Sequence, residues 1–80
     1  MATTHAFLRL ETPEDYDLEP LIQNVFWKQI PHHWRLESIE HHPDVVLFKL
    51  TGSTSDLPSV LGLLKYSQRE SGCEGLVYSA

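Results

Sequence analysis

The sequence predicts a single α+β domain spanning all 80 residues, with the element order strand-helix-strand-strand-helix-strand. Two observations lead to this prediction. A short strand, loop and helix-start pattern occurs twice, beginning at Phe7 and again at Leu47. Each copy is followed by a further strand-like run, at 34–40 and at 75–80, so the chain divides into two strand-helix-strand halves.

The first half begins with a half-buried strand. Apolar and polar residues alternate over 6–11, and residues two apart in a strand lie on the same face of a sheet. Asp17 is a good N-cap for the helix that follows, and Pro20 falls in the first helical turn, where its missing N–H has no cost. Pro31 would end this helix. Its apolar face would contain Leu18, Leu21, Ile22, Val25 and Phe26.

The second half of the predicted sheet begins with a less regular strand. Strict alternation predicts that Ile39 lies on the same face as Arg35, opposite to Leu36. Turn-forming residues at 41–44 predict a hairpin. The third strand, at 45–51, has the apolar and β-branched composition that is typical of a central strand.

The second helix follows a polar loop. Ser55 or Asp56 would be its N-cap, and Gly72 its C-terminal glycine. Gly62 lies inside this helix, where glycine is unfavourable, so we expect it to mark a close contact between helix and sheet. The buried stripe of the helix would contain Leu57, Val60, Leu61 and Leu64.

This order of elements is that of the ferredoxin-like βαββαβ sandwich, a four-stranded antiparallel sheet with two helices on one face. Right-handed crossovers would place the first and third strands at the centre of the sheet. The architecture resembles that of small ligand-sensing modules of the ACT and NIL kind, and of RNA-recognition and acylphosphatase-like domains. The resemblance is one of architecture, so it implies no functional residues.

Composition and charge narrow the possible functions of this small acidic chain. The hydrophobic fraction of 41% predicts a packed core. The net charge of −5 disfavours binding to nucleic acid or to an anionic membrane, since both depend on basic surface. No apolar run approaches the roughly 20 residues that span a bilayer, and Cys73 has no second cysteine with which to form an internal disulfide. We therefore expect a cytoplasmic protein.

The sheet face that the helices leave uncovered is the first candidate site. Alternation assigns to it Phe7, Arg9, Leu47 and Lys49. Because a monomer should not leave such apolar surface in water, we expect this face to contact a protein partner. The simplest partner is a second copy, in a homodimer formed through this face or through a sheet edge. Trp27 lies off the apolar stripe of its helix and is a candidate interface anchor.

Two alternative functions use other features. The loop formed by Gly52, Ser53, Thr54 and Ser55 leads to Asp56 at a helix N-terminus, where free N–H groups favour an anion or a small ligand. The architectural resemblance places the ligand of sensing modules at this position. An aromatic residue beside arginine and lysine on a central strand is also used by single-stranded RNA binders, although the acidic charge disfavours this function.

The sequence predicts no metal site, no cofactor and no catalytic residue, and hence no enzyme. The pairs His32–His33 and His41–His42 would lie at opposite ends of one strand, roughly 25 Å apart, which is too far to share an ion within a monomer. A metal site would instead need one pair with Asp44 or Glu40, or pairs that meet across a dimer. Cys73 has no neighbouring base, and Glu74 beside it disfavours a thiolate. We therefore predict a non-enzymatic regulatory or accessory module that acts by protein-protein interaction.

Overall fold

The computed structural model describes residues 2–13, 15–23 and 29–79. The strands and helices are β1 (Thr3–Glu11), α1 (Glu19–Leu21), β2 (Arg35–His41), β3 (Val45–Ser53), α2 (Leu57–Ser71) and β4 (Glu74–Ser79). A short 3-10 helix, Thr54–Asp56, leads directly into α2. The predicted α+β class is therefore confirmed.

The four strands form one sheet in the order β2-β3-β1-β4. All three neighbouring pairs are antiparallel, so β1 and β3 lie at the centre and β2 and β4 lie at the edges. α2 packs on β1 and β4. This arrangement leaves β4 with β1 as its neighbour on one side and no strand of the described residues on the other.

The hydrophobic core lies on one face of this sheet. Alternate residues of both central strands point into it, as the alternation of β1 predicts. Both helices contribute to the same cluster. Its members include Ala6, Leu8, Leu10, Leu21, Phe48, Leu50, Val60 and Leu64.

β2 contains a β-bulge, which changes the face assignment predicted for this strand. Between Leu36 and Ser38 the register with β3 shifts by one residue, so Glu37 is an extra residue in β2. The shift places Ile39 opposite Phe48, and Ile39 packs against the buried cluster. The prediction that Ile39 lies on the opposite, uncovered face is therefore wrong, because strict alternation does not continue through a bulge.

The loop that joins β1 to α1 contacts the C-terminal end of α2 through Tyr16. The Tyr16 hydroxyl donates a hydrogen bond of 2.9 Å to the Ser71 carbonyl oxygen. Burial, together with the neighbouring Cys73, raises the pKa of Tyr16, so the hydroxyl keeps the proton that it donates. Asp17 accepts a 3.1 Å hydrogen bond from the Glu19 amide, but the N-cap of α1 is the next residue, Leu18.

The ends of the helices agree with the sequence in part. Gly72 ends α2 in the left-handed conformation with φ of 72°, as predicted. Gly62 is exposed, and a Cβ added there would meet no atom within 4 Å, so the predicted close contact at Gly62 is wrong. Val25 and Phe26, predicted to continue α1, lie outside the described residues.

Candidate functional site

The sheet face opposite the core, here called the open face, brings four predicted interface residues together. Phe7 pairs with Lys49 across β1 and β3, and Arg9 pairs with Leu47 in the same ladder. The four side chains therefore occupy adjacent positions on the open face. Arg9 is exposed, and the other three are half-buried. Trp27, the predicted anchor, lies outside the described residues.

β4 adds two apolar side chains to the open face that the sequence did not identify. Tyr78 pairs with Phe7, and their rings stack with centroids 4.9 Å apart and planes inclined by 14°. Leu76 pairs with Arg9. Leu76 is 57% exposed and Tyr78 is 38% exposed. The sequence contains one signal for them, the spacing of two between Leu76 and Tyr78, but their neighbours follow from the register of β4 on β1.

The charges on the open face divide into paired and unpaired groups. Lys49 Nζ lies 3.2 Å from a carboxylate oxygen of Glu37, the bulge residue. His5 Nδ1 lies 3.8 Å from the same oxygen. Arg9 forms no ion pair with any described residue and lies between Leu47 and Leu76. An unpaired guanidinium therefore stands among apolar side chains at the middle of the sheet.

A shallow depression opens beside Arg9 on the same face. Its volume is about 500 Å³, and β1, the hairpin between β2 and β3, and β4 all line it. The lining residues are Arg9, His42, Asp44, Val45, Leu47 and Tyr78. The depression has the size and mixed polarity to accept side chains of a partner.

Residues of the candidate ligand loop contact one another and Trp34. A Cβ added to Gly52 would overlap the Trp34 indole, so glycine is required there by packing. Trp34 Nε1 donates a 3.1 Å hydrogen bond to the Ser53 carbonyl oxygen. Ser53 Oγ accepts a hydrogen bond from the Ser55 amide at 3.4 Å and lies 2.8 Å from Ser55 Oγ. Thr54 is exposed and begins the 3-10 helix. These contacts support capping as the role of the loop.

The two histidine pairs lie near opposite ends of β2. The His32 and His33 rings are 5.2 Å apart and meet edge to face before the strand begins. His41 ends the strand, and the His42 amide donates to the Val45 carbonyl oxygen in the hairpin. Among the described residues, no group of three or more histidine, cysteine or acidic side chains is placed to hold a metal ion.

Comparisons with known proteins assign no family to the chain. No protein-family model, curated protein or solved structure matches it. Within the described residues, no helix is long and apolar enough to cross a membrane. The function is therefore inferred from the open face and its chemistry.

Proposed function

We propose that this chain is a non-enzymatic regulatory or accessory module that binds a protein partner through its open face. In solution the first such partner is a second copy of the chain. The stacked rings of Phe7 and Tyr78, beside the exposed Leu76, are the observation on which the proposal rests. Apolar and aromatic side chains placed together on a surface are typical of protein contact sites.

The proposal includes a ferredoxin-like architecture. The strand order β2-β3-β1-β4 and its antiparallel pairs support this architecture. So does the contribution of α1 and α2 to one buried cluster. The connection from β1 to β2 contains α1, which begins at Glu19.

The distribution of side chains on the open face fits a protein contact. Interface centres are enriched in aromatic residues and arginine, whereas lysine and glutamate are more common at the rim. Here Phe7 and Arg9 lie on the central strand β1, and Tyr78 lies beside Phe7 on the edge strand β4. The ion pair between Lys49 and Glu37 lies towards the β2 edge.

Acidic side chains make a nucleic acid a poor partner for the same face. Glu11 pairs with Glu74 at one end of β1 and β4. Glu40 pairs with Leu47 on the other side of the face. A phosphate backbone that approached Arg9 would therefore meet carboxylates on both sides, and the net charge of −5 would oppose its approach.

The double variant Phe7→Asp with Leu47→Asp tests the proposal. Two carboxylates on the open face should prevent contact with a second copy, because a partner cannot bury them without compensation. We expect the solution mass, measured by light scattering at two protein concentrations, to fall below that of the native chain, while an amide NMR spectrum remains that of a folded protein.

Tyr66→Asp is the matched control, because Tyr66 is 49% exposed but lies on α2. It should leave the mass unchanged. If the double variant does not fold, Arg9→Glu alters an exposed residue at the same place and is measured in its stead. A solution mass that the open-face changes leave equal to that of the native chain, or a native chain that is monomeric throughout, would refute self-association through this face.

A further inference from the structure

We propose that β4 is a pairing edge, at which the β4 strands of two copies join to form one continuous sheet. This contact uses the backbone edge of β4 and shares Leu76 and Tyr78 with the open face, but it does not depend on what the rest of the open face binds. The two edges of the sheet, β2 and β4, differ in the features that govern pairing with another strand.

The β2 edge has features that prevent pairing with another strand. Its ladder is interrupted by the bulge at Glu37. Charged side chains are frequent along it, with Arg35, Glu37 and Glu40 within one strand. Bulges and charges are the means by which natural sheets prevent association at their edges.

The β4 edge lacks these features. The register of β4 on β1 is unbroken from Glu74 to Ser79, and the strand contains neither proline nor lysine. Glu74 is its one charged residue and lies at its start. No described strand pairs with the outer side of β4. An exposed, regular and largely uncharged edge of this kind is a template for a further strand.

The residues of β4 favour a second copy of the chain and one register. Residues directly opposite each other in an antiparallel pair point to the same face of the sheet. A two-fold axis normal to the sheet must therefore lie between one residue and the same residue of the second copy. An axis at Val77 places Leu76 of each copy opposite Tyr78 of the other copy. Glu74 then lies beyond the pairs formed by residues 75–79, so it does not face Leu76 or Tyr78. An axis at Leu76 would instead place Glu74 against Tyr78.

The Val77 register also explains the exposure of the two apolar side chains. Leu76 is 57% exposed and Tyr78 is 38% exposed. In the paired dimer, Leu76 of each copy would pack against Tyr78 of the other copy. Phe7 already stacks on Tyr78, so the apolar surface would continue from one open face to the next without a break. Pairing at β4 would therefore double the surface that a partner of the open face meets.

A disulfide placed on the axis tests both the edge and the register. In a Cys73→Ser background, Val77→Cys would bring two thiols together across the axis, because opposite Cα atoms in an antiparallel pair are about 4.5–5.5 Å apart, within the range of a disulfide. We expect a covalent dimer on mild oxidation, seen in a non-reducing gel. Ile39→Cys is the matched control: it is also half-buried and packs on the core, but it lies on β2. It should form no covalent dimer.

The outcomes separate this inference from the function proposed for the open face. The cross-link should persist when Leu47→Asp is added, because Leu47 lies on β3 away from the axis. Failure of Val77→Cys to form the dimer, or equal cross-linking of Ile39→Cys, would overturn pairing at β4. As a second measurement without cysteine, Leu76→Lys added to the Leu47→Asp variant should lower its solution mass further, because a lysine on a strand edge opposes pairing with another strand; an unchanged mass would also overturn the inference.

Discussion

The two faces of the sheet are built from alternate residues of the same strands, yet their environments differ completely. On the core face Leu8 and Phe48 have 0% exposure. On the open face Phe7 is half-buried and Leu76 is 57% exposed. The difference shows that neighbouring positions in one strand can have separate roles. Substitutions on the core face should change folding stability, and those on the open face should change association.

The largest expected effect comes from matched truncations on the two faces. Phe48→Ala removes a fully buried ring and should lower the free energy of unfolding by about 3–5 kcal/mol, whereas Phe7→Ala removes a half-buried ring and should cost about 1 kcal/mol. Urea denaturation followed by circular dichroism measures both. Because Phe48→Ala risks complete unfolding, Phe48→Leu provides a milder variant. Equal losses at the two positions would contradict the distinction between the faces.

A smaller effect on stability is expected at Gly52 and Gly62, because an added Cβ would meet Trp34 at the first and no atom at the second. Gly52→Ala places a Cβ against the Trp34 indole on the core side and should lower the free energy of unfolding by about 1–3 kcal/mol. A Cβ at Gly62, on the exposed side of α2, would meet no neighbouring atom. Gly62→Ala should therefore raise the free energy of unfolding by about 1 kcal/mol, because alanine favours the helix. Thermal unfolding of the two variants should therefore move in opposite directions. A Gly52→Ala variant as stable as the native chain would show that Trp34 can shift without cost.

Gly72 and Gly52 show what the sequence could and could not predict. Features that depend on near neighbours in the chain were predictable: the alternation of β1, and the left-handed Gly72 at the end of α2. Gly52 resembled part of a ligand loop because its neighbours in sequence are polar. The residue that requires glycine there, Trp34, is brought to it by the packing of the loop before β2 against the end of β3.

In the candidate site, too, only the features that depend on near neighbours in the chain were predictable. Phe7, Arg9, Leu47 and Lys49 could be placed on one face because alternation is a local property. The stacking of Tyr78 on Phe7 could not be foreseen, because it depends on the register between the first and last strands.

The bulge at Glu37 had no clear signature in the sequence either, and without it Ile39 could not be assigned to the core. A β-bulge adds one residue to one strand, so its presence is a property of the pair of strands. The face of every residue after the bulge therefore depends on a contact with β3.

The smallest expected effect on stability tests this bulge directly. Deletion of Glu37 removes the extra residue, so Leu36 and Ile39 should stay on the core side. The cost should be no more than about 1 kcal/mol, mainly from the loss of an exposed ion pair with Lys49. Deletion of Ser38 is the matched control, because it also removes the bulge but leaves the carboxylate opposite Lys49. Urea denaturation gives the stability, and nuclear Overhauser contacts between Ile39 and Phe48 report the face.

Either deletion also makes the β2 edge regular, so both variants test why this edge stays unpaired. A regular β2 edge loses one of the two features that prevent pairing, whereas Arg35 and Glu40 remain in both variants and Glu37 remains in the Ser38 deletion. Self-association should therefore increase in both deletion variants, measured as solution mass against concentration. If Ile39 instead turned outward after deletion, the alternation of side chains along β2 would not be set by the ladder with β3. If the mass stayed unchanged, the charges of β2 alone would be sufficient to keep that edge unpaired, and the contrast with β4 would rest on charge rather than on the bulge.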